Sequence, residues 1–179
     1  KPLSIDNQHE LAALQDLAQQ FDCILTSMET DWLLPGPTGE SNRLSLHPVG
    51  KVLVIADELK TAIQFAIDAL IAGCAVVLAA PGANAEALQS ENLSYLPLQL
   101  LDGRVDVSQI SQQLPFDAMA LGVSDEDFLI YKSAVAVQFE HIFPVVRSLA
   151  TPIRFATERH VCIDTTAAGG NATLLASAE

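Results

Sequence analysis

Basic side chains are scarce in this 179-residue chain. Lys and Arg number 9 against 22 Asp and Glu, a formal net charge of −13. A field of that sign repels phosphate backbones and anionic headgroups, which excludes a general nucleic-acid binder and a charge-anchored membrane protein. Cysteine is scarce too. Cys23, Cys74 and Cys162 are too few and too scattered for a disulfide framework, and they fit a reducing, cytoplasmic setting. Aromatics make up 6% of the chain, and no alternation of aromatic and basic residues offers a base-stacking platform. Charged residues make up only 17% against 50% apolar, which excludes a disordered chain. The length suits one domain, or one domain with an appendage, around a real core.

One long hydrophobic run is present, over residues 62–81. Asp68 lies inside it and Gly73 interrupts it, so it predicts a helix followed by a strand in a protein core rather than a membrane span. The chain starts at Lys1, not Met, and no signal-peptide pattern follows, which fits a portion of a longer polypeptide.

The apolar periodicity then predicts an order of elements. Residues 4–21 read as an amphipathic helix with Leu11, Leu14, Leu17, Ala18 and Phe21 on one stripe. Residues 22–27 read as a short strand and 28–42, with Pro35, Gly36, Pro37 and Gly39, as an extended linker. Buried strands follow at 51–56, 74–80, 98–101 and 117–121, with a further short strand at 144–149. Helices are expected at 57–72, 83–91, 107–114 and 125–138 between them, Asp57 or Thr61 capping the first and Ser124 the last. Such alternation means βαβ units and a parallel sheet. The expected fold is α/β, a small Rossmann-like parallel sheet flanked by helices, with a C-terminal β-hairpin or extended arm. The expected division is 1–42, N-terminal helix and Pro/Gly linker; 43–150, Rossmann-like domain; 151–179, arm and tail.

Chemical motifs are missing from the places where this fold usually carries them. The residues after the first buried strand are Asp57-Glu58-Leu59-Lys60, not the Gly-x-Gly-x-x-Gly that cradles a pyrophosphate. Two carboxylates there favour the helix dipole and repel a phosphate. Gly36-Pro37-Thr38-Gly39 lacks the Gly-Lys-Ser/Thr of a P-loop, and Gly122-Val123-Ser124-Asp125-Glu126 has Glu126 where a nucleophile elbow needs glycine. His160 and Cys162 share a strand face but lack an evident third group for a metal or a catalytic dyad. No catalytic, cofactor-binding or metal residue is assigned on these grounds.

Two segments nevertheless carry a resemblance. One is Leu34-Pro35-Gly36-Pro37-Thr38-Gly39-Glu40-Ser41-Asn42. The other spans residues 158–175 and ends in Thr165-Thr166-Ala167-Ala168-Gly169-Gly170-Asn171-Ala172. Together they resemble the C-terminal region of the PutA family, bifunctional proline-catabolic flavoenzymes of Gram-negative bacteria. Residues 52–81 resemble the first βαβ unit of the aldehyde dehydrogenase coenzyme domain. The resemblance implies a non-catalytic, aldehyde dehydrogenase-like domain that holds no cofactor itself. It implies a parent enzyme with an FAD-dependent proline dehydrogenase and an NAD-dependent glutamate-semialdehyde dehydrogenase. The partner would be the remainder of that chain, with a homodimer through the arm as a further possibility. The domain would help close the tunnel between the two active sites. Linker residues Pro35, Gly36, Pro37, Gly39 and Glu40, and tail residues Thr165, Thr166, Gly169, Gly170 and Asn171, are the interface candidates. Three departures from the superfamily pattern agree with a silent domain. Ala79 replaces the ribose-contacting lysine, Asp57-Glu58 replace Pro-Trp-Asn, and Leu121-Gly122-Val123-Ser124 replace Phe-Thr-Gly-Ser.

Overall fold

The computed structural model describes residues 26, 30–83, 93, 95–110, 116–138, 142–147 and 152–164. The helices expected at 4–21 and 83–91 fall outside these residues, except for Ala83, which lies in a turn. Thr26 is helical where a strand was expected.

The body is a five-stranded parallel sheet. Its strands are β3 (Lys51–Ala56), β4 (Ala75–Ala80), β5 (Leu98–Asp102), β6 (Ala118–Gly122) and β7 (Val145–Val146), in the spatial order β5-β4-β3-β6-β7. Every pairing among them is parallel. Every residue of β3 after Lys51 is buried, the continuous apolar run of a strand covered on both faces. Side chains alternate across the sheet, so Val52, Val54 and Ala56 line one core and Leu53 and Ile55 the other.

Helix α1 (Leu59–Ile71) covers the first core with Ala62, Phe65, Ala66 and Ala69. It ends at Gly73, φ 83°, as the sequence predicts. Helix α2 (Asp125–Gln138) covers the second core with Tyr131 and Val135. The predicted Rossmann-like α/β class is therefore the observed one. The helix expected at 107–114 starts as a 3-10 turn, Val107–Gln109, and Ile110 has already left it. Asp106 tightens that turn by accepting the Ser108 N–H at 2.7 Å.

A second sheet stands apart in kind. Strands β1 (Trp32–Leu34), β2 (Glu40–Pro48) and β8 (Ala156–Asp164) form an antiparallel sheet in the order β1-β2-β8. This corrects one expectation. Residues 28–42 are not simply a linker, because β1 and the start of β2 form a hairpin there. The expected C-terminal arm is β8, an extended strand that pairs residue for residue with β2, from Glu40↔Asp164 to Pro48↔Ala156. The boundary expected at residue 43 falls inside β2, and the one expected at residue 151 separates two strands that pair. Nine residues per strand make an arm about 30 Å long.

The arm joins the body at one buried point. Phe155 closes the 3-10 turn Pro152–Phe155 and lies in the α1-side core with Phe65 and Cys74. Its carbonyl accepts the Val49 N–H at 2.8 Å and the Cys74 thiol at 3.4 Å. Both arm strands are thus tied to the body where they leave it.

Candidate functional site

Strand order places the only reversal of the parallel sheet between β3 and β6. In this architecture the crevice outside the strand C-termini at that reversal is the usual ligand site. Its walls are the residues just past β3, β5 and β6: Asp57, Arg104 and Ser124.

These residues are bonded to one another. Asp57 Oδ2 accepts the Ser124 N–H at 3.2 Å, and Asp57 Oδ1 lies 3.0 Å from Arg104 Nη2. The same Arg104 nitrogen donates to Asp127 Oδ2 at 2.8 Å. Ser124 caps α2 as predicted. Its Oγ accepts the Asp127 N–H at 3.2 Å and donates to Asp127 Oδ2 at 3.1 Å. At the neighbouring strand end, the Gly82 N–H is held by Asp102 Oδ1 at 2.8 Å.

Asp57 is therefore not the cap of α1, as the sequence had suggested. The N-cap position is Glu58, without a side-chain bond to the helix. The Asp57 carboxylate turns across the crevice instead, because the Ser124 amide and the Arg104 guanidinium both face it.

The electrostatics follow from this geometry. The Arg104 bond, then the Ser124 bond, holds the Asp127 carboxyl below its ordinary range. The bond to Asp127 raises the Arg104 guanidinium in turn. Side-chain exposures are 37% for Arg104, 42% for Asp57 and 35% for Asp127. Solvent screens such pairs, so they set geometry more than stability. Two carboxylates around one guanidinium leave a net negative site. The amides of Gly82, Ser124 and Asp127 around this crevice already have partners from this chain, and the uncapped start of α1 is flanked by the Asp57 and Glu58 carboxylates.

Close packing tightens the same corner. A Cβ on Gly122 would lie 2.6 Å from Thr61 Cγ2 and 2.9 Å from Ala56 Cβ. Glycine there lets α1 approach β6.

The linker candidates come together at the β1–β2 hairpin tip. The Glu40 N–H bonds to the Pro37 carbonyl at 3.1 Å, with Gly39 at φ 94° in the third place of the turn. A Cβ on Gly36 would run into Asn42 Nδ2, and that amide donates to Glu40 Oε2 at 3.4 Å. Pro35 and Gly36 lead into this turn. The tail candidates Thr165, Thr166, Gly169, Gly170 and Asn171 lie outside the described residues. His160 and Cys162 are exposed on one face of β8, opposite Leu44 and Asn42, and no hydrogen bond joins them among the described residues. Among the described residues no group of three His, Cys, Asp or Glu could hold a metal, and no helix is long and apolar enough to cross a membrane. Ala79, in the place of the superfamily lysine, is fully buried in β4.

Arg104 was not singled out by the sequence reading. The signal was available: a lone cation after a strand end, in an acidic chain, where strand ends converge.

A parallel sheet with this order, reversal and helical cover defines a Rossmann-like unit of the aldehyde dehydrogenase fold. An NAD-dependent benzaldehyde dehydrogenase from Corynebacterium glutamicum superposes with a TM-score of 0.54 at 17% identity, over 66% of this chain and 29% of that one. A variant of Bradyrhizobium japonicum proline utilization A superposes with a TM-score of 0.60 at 21% identity, over 74% of this chain and 15% of that one. In sequence, the chain is homologous to PutA over about nine-tenths of its length. It is 31% identical over 170 residues to the bifunctional protein PutA of Salmonella typhimurium, covering 91% of this chain and 12% of that protein. The corresponding protein of Escherichia coli K12 is 32% identical over 170 residues, with 90% and 12% covered. The chain thus spans about an eighth of the length of these curated relatives. No family profile matches it.

Proposed function

We propose that this chain is a non-catalytic domain of a PutA-type enzyme that converts proline to glutamate in the cytoplasm. The homology to PutA over nine-tenths of the chain carries this reading. The crevice supports it: the amides of Ser124, Gly82 and Asp127 are held by Asp57, Asp102 and Ser124, and Arg104 is paired with Asp57 and Asp127 in the gap. FAD and NAD belong, on this reading, to the proline dehydrogenase and aldehyde dehydrogenase domains of the parent chain. This domain packs on the aldehyde dehydrogenase domain and helps close the tunnel that carries the intermediate. Its arm offers the means, since β8 is the edge strand of the sheet among the described residues, and an edge strand can take a partner strand. The hairpin tip and the tail motif are the proposed contact points.

Deleting residues 1–179 from the parent enzyme tests this. Coupled turnover of proline to glutamate should fall, while proline dehydrogenase activity alone persists. Full coupled turnover in the deleted enzyme overturns the reading. A second reading, a nucleotide-binding protein, rests on the parallel sheet alone. Calorimetric titration with NAD separates the two, because our reading expects no heat of binding at millimolar cofactor and the alternative expects saturation.

A further inference from the structure

Helix α2 has two apolar sides. Its inner side sends Tyr131 and Val135 into the core beside β3 and β6. On its outer side Leu129 is 61% exposed, Ile130 47% and Val137 85%, with exposed Ser133 and Ala136 between them. Positions 129, 130, 133, 136 and 137 follow the spacing that places residues on one helical face over two turns. A surface helix with one side in the core ordinarily carries polar residues on the other. Of the charges on α2, Asp125 pairs with Arg147 and Asp127 with Arg104, exposed Glu126 stands one turn before the strip and exposed Lys132 flanks it. Over the two turns from Leu129 to Val137 the outward positions are apolar except Ser133, the kind of strip that marks a surface to be covered.

The size of the strip argues for one kind of cover. Three large side chains bury far less than the roughly 1,200–2,000 Å² that holds a free dimer together. A tethered partner needs no such area, because the connecting chain supplies a high effective concentration. The PutA relatives carry about eight times the length matched here, so most of such a polypeptide lies outside this unit. The strip also lies on the α2 layer, opposite the α1-side core that anchors the arm.

We infer that the outer face of α2, centred on Leu129, Ile130 and Val137, docks against an apolar surface of another domain of the same, longer polypeptide. This rests on reading the chain as one domain of a PutA-type enzyme. It adds a second contact, on the opposite layer from the arm.

Hydroxyl-radical footprinting of the intact parent polypeptide tests it, comparing native protein with protein unfolded in urea. Leu129, Ile130 and Val137 should label about tenfold more slowly in the native state, as in an interface that excludes water. Native labelling slowed by no more than about twofold, the reduction that exposures of 61%, 47% and 85% already give without a partner, overturns the inference. So does protection that vanishes on dilution, which assigns the strip to a second copy. The intact mass of the polypeptide isolated from its source separates the two layers of argument. A mass near 19.1 kDa sinks the reading of a longer parent, whereas a larger mass with unprotected residues sinks the α2 contact alone.

Discussion

The parallel body is made of short apolar strands, whereas β2 and β8 of the antiparallel arm are longer and largely polar, and the two regions are held by different forces. In β3 every residue after Lys51 is buried, and helices cover both faces of the sheet. In β8 every residue after Ala156 is exposed, and its cross-strand neighbours are mostly polar: Glu40, Ser41, Asn42, Arg43, Ser45 and His47 against Leu44, Leu46 and Pro48. The body is specified by burial of side chains, at roughly 25 cal/mol per Å² removed from water. The arm is specified by main-chain bonds, by residue-for-residue register with β2 and by a few buried residues, Asn42 and Leu46 in β2 and Pro152 and Phe155 at its root. A strand that buries little has its register set weakly. The Phe155 anchor, with its carbonyl on the Val49 N–H, fixes that register at the root of the arm.

The sharpest way to break this comparison is at the anchor. Phe155→Ala removes a fully buried ring from the core that also holds Phe65 and Cys74. It should cost about 3–5 kcal/mol in chemical unfolding, with one cooperative transition retained. Amide exchange in β2 and β8 should rise more than exchange in β4. Unchanged stability would mean that the arm and body are independent units. A mutation confined to the body gives the contrast. Gly122→Ala forces a methyl between Ala56 and Thr61 and should cost about 1–3 kcal/mol by overpacking. It should leave the exchange pattern of β2 and β8 intact, and increased exchange there would show that the arm senses the body's packing.

Legibility in the sequence follows the same divide. Strands β3, β4 and β6 were readable because a run buried on both faces is a continuous apolar word. Helix α2 was readable because Ser124 announces its start. The β1–β2 hairpin was not, since a three-residue strand before Pro35-Gly36-Pro37 gives no period to detect. Nor was the partner of β8, because β2 and β8 pair across a whole intervening domain and local pattern carries no information about such distant pairing. The crevice was half legible. The acidic pair after β3 did forecast an electronegative site, but Asp57 read as a helix cap because its true partner, the Ser124 amide, lies 67 residues away. Arg104 passed unnoticed for the same reason: its two carboxylates come from the turn after β3 and from the first turn of α2.

The smallest effect expected is electrostatic, and it tests whether the crevice lock differs from the packing around it. Arg104 is the larger cause of the lowered Asp127 carboxyl, and Ser124 the next. A carboxyl lowered in the folded state contributes stability that is fully present above its unfolded-state value. That contribution fades as pH falls through the folded value. Arg104→Ala should therefore move the Asp127 titration upward toward its ordinary 3.8, read from the carboxyl carbon by NMR. Wild-type and variant stabilities should differ at neutral pH, and the difference should fade only as pH falls through the lowered folded-state value of Asp127 in the wild type, where the carboxyl becomes protonated in both. Ser124→Ala should shift the same carboxyl less, yet it should also cost about 1 kcal/mol at neutral pH through loss of the α2 cap. A larger shift from Ser124→Ala than from Arg104→Ala would mean that the helix end, not the guanidinium, governs the crevice. The ion network would then be a consequence of the cap rather than the element that closes the site.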